Sequence, residues 1–155
     1  MDIRQSGDEL LAGSRKLAVL VALLADLCGR RGHRVLVFSQ SVRMLHVIER
    51  CLDPAQGLVS SDLGVLRIDG SVAGPERARR VDAFNRNHHS VDDSNDNNNN
   101  NKQHPHRVML LTTGVGALGL TLTGADRVVM YDPAWNPAED AQAVDRAHRI
   151  GQTKP

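Results

Sequence analysis

The sequence predicts an α/β layer fold, a parallel β-sheet with helices on both faces, joined by right-handed crossovers. Three observations carry the prediction. Short unbroken apolar runs such as Val35 to Phe38 alternate with longer stretches in which apolar residues recur at helical spacing. Each run ends in hydroxyl, amide, glycine or proline residues that turn the chain. The chain has 155 residues, 41% of them apolar, which suits one domain with a sizeable core.

Residues 1–13 read as a lead-in to a domain at 14–155. Ser14 is placed to cap a helix running to Arg31, because Leu17, Leu20, Val21, Leu24, Leu27 and Cys28 fall at helical spacing. Val35 to Phe38 then forms a strand buried on both faces, ended by Ser39 and Gln40. A second helix carries Met44, Leu45, Ile48 and Leu52 on one side. Val65 to Ile68 is the next strand, and Asp69 and Gly70 close it in an IDG turn where the aspartate holds the loop. Pro75 to Phe84 is a third helix, Val108 to Leu111 a third strand and Arg127 to Tyr131 a fourth.

Between Asn85 and Arg107 the rhythm breaks. The run NHHSVDDSNDNNNNNKQHPH has almost nothing apolar to offset the entropy of ordering it, so about 87–106 reads as a disordered Asn-rich insertion. Its His88, His89, His104 and His106 lack the cysteines or fixed spacing of a metal centre, and no metal site is expected in the chain. Cys28 and Cys51, the two cysteines, sit in apolar helical patterns and read as reduced structural thiols. A net charge of +1 gives no global field toward nucleic acid or membrane, so any such contact must be local. No signal peptide, amphipathic presequence or apolar run of about twenty residues occurs, which points to a soluble intracellular protein without a membrane partner.

Gly114, Gly116 and Gly119 spell GxGxxG directly after the third strand, the dinucleotide fingerprint on paper. The connection that follows, LTLTGAD at Leu120 to Asp126, is too short for the helix of a βαβ unit of roughly thirty residues. What survives is a loop bringing backbone amides and the Thr112 and Thr113 hydroxyls to a phosphate. Near the C-terminus, QAVDRAHRIGQ at Gln142 to Gln152 places Arg146 and Arg149 at i, i+3 spacing. Both guanidiniums then leave one helix face and can fork onto a multiply charged anion such as a nucleoside triphosphate. Gln142, Asp145, His148 and Gln152 add hydrogen-bonding groups, and Gly151 stops the helix.

Four blocks in order resemble the second RecA-like lobe of SNF2-family DNA-dependent ATPases. They are RVLVFSQS at Arg34 to Ser41, LRIDGSVAGPERARRVDAFN at Leu66 to Asn85, LLTTGVGALGLTLTGADRVVMYDPAWNP at Leu110 to Pro137, and QAVDRAHRIGQ. The match spans nearly the whole chain outside the insertion, and GLTLT with DPAWNP is most similar to the excision-repair and PICH-like subgroup.

The resemblance implies roles by position. Arg146 and Arg149 would reach the ATP phosphates across an interlobe cleft, with Arg149 as the finger that stabilises charge on the transferring phosphoryl group. Gln142 would position the nucleotide phosphates and Asp145 would orient the neighbouring arginine. Gly116, Gly119 and Thr121 would couple the nucleotide cleft to the DNA track. Ser39, Gln40, Thr112 and Thr113 stand at strand ends, where short polar groups can meet a phosphodiester backbone without reading sequence. Trp135 lies between Pro133 and Pro137, a placement that disfavours full burial, and the family sets this position against DNA as a wedge or packing face at the minor groove or sugar edge.

ATP with Mg2+ is the implied cofactor. Double-stranded DNA, nucleosomes and the N-terminal RecA-like lobe of the same protein are the implied partners, in the nucleus. No GxxxxGK[ST] and no DEAH-like box occurs, so the Walker lysine, the magnesium ligands and the general base belong to a first lobe by the family's plan. The expectation is a motor lobe cut short at its C-terminal end, inactive alone. A non-catalytic RecA-like interaction module is the alternative, and a nucleotide-cofactor oxidoreductase comes last.

Overall fold

The computed structural model describes residues 7–56, 58–59, 63–86, 106–116 and 120–145. The Asn-rich insertion, apart from His106, lies outside the described residues. Within the lead-in, Gly7–Ala12 forms a short helix, α1, whose Leu10 joins the core at 1% exposure. Helix α2 spans Arg15–Leu24, and Ser14 caps it as expected, its hydroxyl accepting the Leu17 N–H at 3.3 Å. The expected helix continues toward Arg31, but its last stretch, Ala25–Arg30, widens into π-helical turns. There the Arg31 N–H reaches back to the Asp26 carbonyl at 3.1 Å, and Gly32, at φ 71°, turns the chain toward the sheet in a conformation that costs glycine little.

Strand β1 is Val35–Ser39, followed by α3 at Val42–Cys51. Strand β2 is Val65–Ile68, α4 is Gly74–Arg86 and β3 is Val108–Thr112. A short α5, Thr113–Gly116, a loop and β4, Arg127–Met130, lead to α6 at Pro137–Val144. All pairings are parallel and the order is β2-β3-β1-β4.

The two central strands, β1 and β3, are buried at every position, which is why they read as unbroken apolar runs. Alternate side chains divide between two cores. Val35, Val37, Val108 and Leu110 face α1, α2 and α3. Leu36, Phe38, Met109 and Leu111 face Phe84 of α4 together with Leu122 and Ala125 of the β3–β4 connection. Crossovers that travel in opposite directions along the sheet run over opposite faces, so they share one hand.

Asp126 joins the N-terminal ends of β1 and β4. Its carboxylate accepts the Arg34 N–H at 3.0 Å and contacts His33 Nδ1 at 3.0 Å, while the Asp126 and Arg127 N–H groups donate to the Arg34 carbonyl. Arg34 itself is buried, with its guanidinium 4.3 Å from the Phe84 ring centre and a bond to the Phe84 carbonyl. Cys28 and Cys51 are buried free thiols, and burial pushes Cys28 up to about 12 despite the nearby Arg107.

Candidate nucleic-acid interface at the strand ends

The order β2-β3-β1-β4 makes the gap between β1 and β3 a switch point. The chain leaving β1 crosses one face toward β2, whereas the chain leaving β3 crosses the other face toward β4. Connections that part this way open a crevice at the carboxyl ends of the two strands, the usual ligand position of open α/β sheets. Ser39 and Thr112 are paired in register across that crevice. Gln40 is exposed, Thr113 half-buried, and a Cβ built on Gly114 would meet nothing within 4 Å, so the first turn after β3 is open to approach.

A loop from the end of β4 stands beside this crevice and is pinned along its length. The Ser39 hydroxyl donates to Asp132 Oδ2 at 2.6 Å, and the Ser41 N–H donates to the same hydroxyl at 3.2 Å. Lys16 of α2 reaches Asp132 Oδ1 at 3.2 Å while its ammonium sits 4.3 Å from the centre of the Tyr131 ring. Gln40 Nε2 donates to the Pro133 carbonyl at 3.0 Å, and the Ala134 N–H donates to Asp140 of α6 at 3.1 Å. Asn136 accepts the Ala138 N–H at 3.1 Å, capping α6 with Pro137 as its first residue. In the middle of these contacts Trp135 is 100% exposed.

The fold leaves this indole open to solvent on a loop that its neighbours hold. This agrees with the proline-bracketed reading. Ser39, expected at the DNA track, is 0% exposed and its hydroxyl is engaged by Asp132. It braces the Trp135 loop instead. Thr112 is 9% exposed at the same strand end.

Thr121 lies on the β3–β4 connection, exposed, with its carbonyl accepting from Asn85 Nδ2. Gly116 ends α5, and α6 packs against α5. Gln142 is in α6, and Asp145 just beyond it is exposed with its N–H bonded to the Ala141 carbonyl at 3.0 Å. Gly119, Arg146 and Arg149 lie outside the described residues. Asp69 holds its turn, accepting the Ser71 N–H at 2.8 Å and pairing with Arg67 at 2.9 Å; the Ser71 hydroxyl bond above all keeps its carboxyl below the ordinary value despite burial. Among the described residues no group of three histidine, cysteine, aspartate or glutamate side chains could hold a metal ion, and no helix is long and apolar enough to cross a membrane.

A family model described as the helicase conserved C-terminal domain matches residues 15–151. The chain belongs to that family. This helicase C-terminal domain is 44% identical over 141 residues to the protein named CHROMATIN REMODELING 24 of Arabidopsis thaliana, covering 91% of this chain and 11% of the relative. It is 45% identical over 148 residues to the DNA excision repair protein ERCC-6-like of Bos taurus, covering 95% of this chain and 10% of that protein. The chain thus spans about a tenth of the curated relatives it matches. A solved structure described as the C-terminal part of the Fun30 ATPase domain superposes with a TM-score of 0.74 at 31% identity, covering 95% of this chain and 40% of that one. The SNF2 resemblance and the RecA-like second-lobe fold are borne out.

Sequence reasoning passed over Lys16, Asp132 and Asn85 in this helicase C-terminal domain. Asp132 stood in the sequence as the residue closing the fourth strand before a proline, without a role at this site. Lys16 carried no signal, since its partner is 116 positions away.

Proposed function

We propose that this helicase C-terminal domain is the arginine-supplying lobe of an ATP-dependent motor that moves along double-stranded DNA, within a nuclear chromatin-remodelling or DNA-repair protein. The observation that carries the reading is the wholly exposed Trp135 on a pinned loop at the β1/β3 switch point, beside strand-end polar groups. A flat indole with neutral hydroxyls and amides suits a groove wall and phosphodiester oxygens, and none of these groups reads a base. The relatives' names, chromatin remodelling and excision repair, support the same setting.

In this reading Trp135 packs against the duplex while Gln40, Thr112 and Thr113 meet its backbone. Ser39 and Asp132 hold the contact surface. Arg146 and Arg149 follow α6 directly in the chain and present forked donors whose chemistry fits a polyphosphate. ATP with Mg2+ supplies the phosphoanhydride whose cleavage drives the step. Arg149 stabilises the charge developing there, Gln142 and Asp145 set the phosphates and the arginine in place, and Gly116, Gly119 and Thr121 relay the change toward the DNA face. The lysine and acidic groups for Mg2+ come from an N-terminal RecA-like lobe, so these 155 residues alone are expected to show no turnover.

The test is Arg149→Lys in the full-length protein. Lysine keeps the charge and loses the planar fork, so DNA-stimulated ATP hydrolysis should fall by about 10³-fold or more with ATP affinity nearly unchanged. Unchanged rates in both Arg149→Lys and Arg146→Lys would remove the motor reading and leave an interaction module.

A further inference from the structure

Asn85, near the C-terminal end of α4, makes two bonds to a single loop. Its Nδ2 donates to the Thr121 carbonyl at 2.9 Å, and its Oδ1 accepts the Gly124 N–H at 3.0 Å. A carboxamide carries a donor and an acceptor side by side, so it pairs with the loop backbone as another peptide group would. The approach is close: a Cβ on Gly124 would lie 3.0 Å from Asn85 Oδ1, 3.1 Å from its Cα and 3.2 Å from the Phe84 carbonyl. Between and beside the two anchor points, Leu122 and Ala125 are sealed into the core against Phe84. The loop is therefore fixed from below by apolar packing and at its backbone by one side chain.

We propose that Asn85 is a positioning residue for the motor, holding Thr121 and Gly124 so that residues 120–126 keep one path into β4. The inference rests on the reading of Thr121 as part of the coupling segment. It names α4 as the element against which that segment is referenced. Because both bonds go to backbone, the device depends on the chemistry of residue 85 and is indifferent to the side chain at 121.

That chemistry supplies the test. Asn85→Asp keeps the acceptor for Gly124 and sets a carboxylate oxygen, which cannot donate, against the Thr121 carbonyl. In the full-length protein, Asn85→Asp should lower kcat of DNA-stimulated hydrolysis about tenfold at pH 8, with KM for ATP within about twofold, from the loss of one bond and the repulsion replacing it. Asn85→Ala, which loses both partners, should lower kcat at least as much, again with KM for ATP within about twofold.

Hydrogen exchange read by mass spectrometry supplies the second arm. Peptides covering 121–124 should exchange about tenfold faster in Asn85→Ala while those of β1 and β3 stay unchanged. If the alanine variant melts, Asn85→Asp carries both readouts. An Asn85→Asp variant with wild-type kcat, or unchanged exchange at 121–124, overturns the proposal. A wild-type protein without DNA-stimulated hydrolysis removes the motor reading, and faster exchange at 121–124 would then still support the clamp.

Discussion

Trp135 and Cys28 show opposite uses of a side chain. The indole is 100% exposed, so removing it costs the fold almost nothing, and Trp135→Ala should leave the urea midpoint within what about 0.5 kcal/mol would move. In the full-length protein the same substitution should weaken DNA stimulation of ATP hydrolysis to a similar degree on unrelated duplex sequences, with basal hydrolysis much less affected. Stimulation that survives intact would move the DNA face to Gln40, Thr112 and Thr113. Cys28 is sealed in the core with its thiol raised from 9.0 to about 12 by desolvation. The folded state thus holds its proton more tightly than the unfolded chain, so stability present below the ordinary thiol value declines as pH rises from there toward 12. Arg34, lowered by burial to about 10, has the opposite sign and offsets part of the loss in the upper half of that window. Urea titrations between pH 8 and 10 should show the decline in wild type and a flatter profile in Cys28→Ala.

At the scale of elements, the contact that organises the candidate interface is the bond from the end of β1 to the loop after β4. Ser39→Ala leaves Asp132 with Lys16 alone and should cost about 1.5–3 kcal/mol in chemical denaturation, as for a hydrogen bond to a charged group. A cost near zero would mean that the loop is held by Gln40 and Asp140 without it. All four strands were legible in the sequence because β1 and β3 are buried on both faces and leave unbroken apolar runs, and Ser14 announced its helix by position. The inward turn of Ser39 was not legible, since it depends on a partner 93 positions away that no local period encodes. The π-helical end of α2 was equally hidden, because its apolar spacing is that of an ordinary helix and no residue type there announces the widening. Trp135 was readable for the converse reason, because two nearby prolines constrain the backbone locally.

Across the whole molecule, the insertion enters after α4 and returns before β3, so it interrupts a crossover and no strand. Its composition offers little to bury, and closure entropy changes only slowly with the length of a connection. Removing Asn87 to His104 should therefore preserve one cooperative melt, with a midpoint within a few degrees of the parent domain. A broad or lost transition would reveal structure that the sequence does not announce. The sheet's order also bears on biosynthesis. Val35 pairs with Val108 and Arg127 and with nothing earlier in the chain. Emerging from a ribosome at about 5–20 residues per second, VLVFS must wait several seconds for either neighbour. During that interval a short, uncharged, β-prone segment stands unpaired in the nascent chain, the kind that molecular chaperones retain and that aggregates when released too soon.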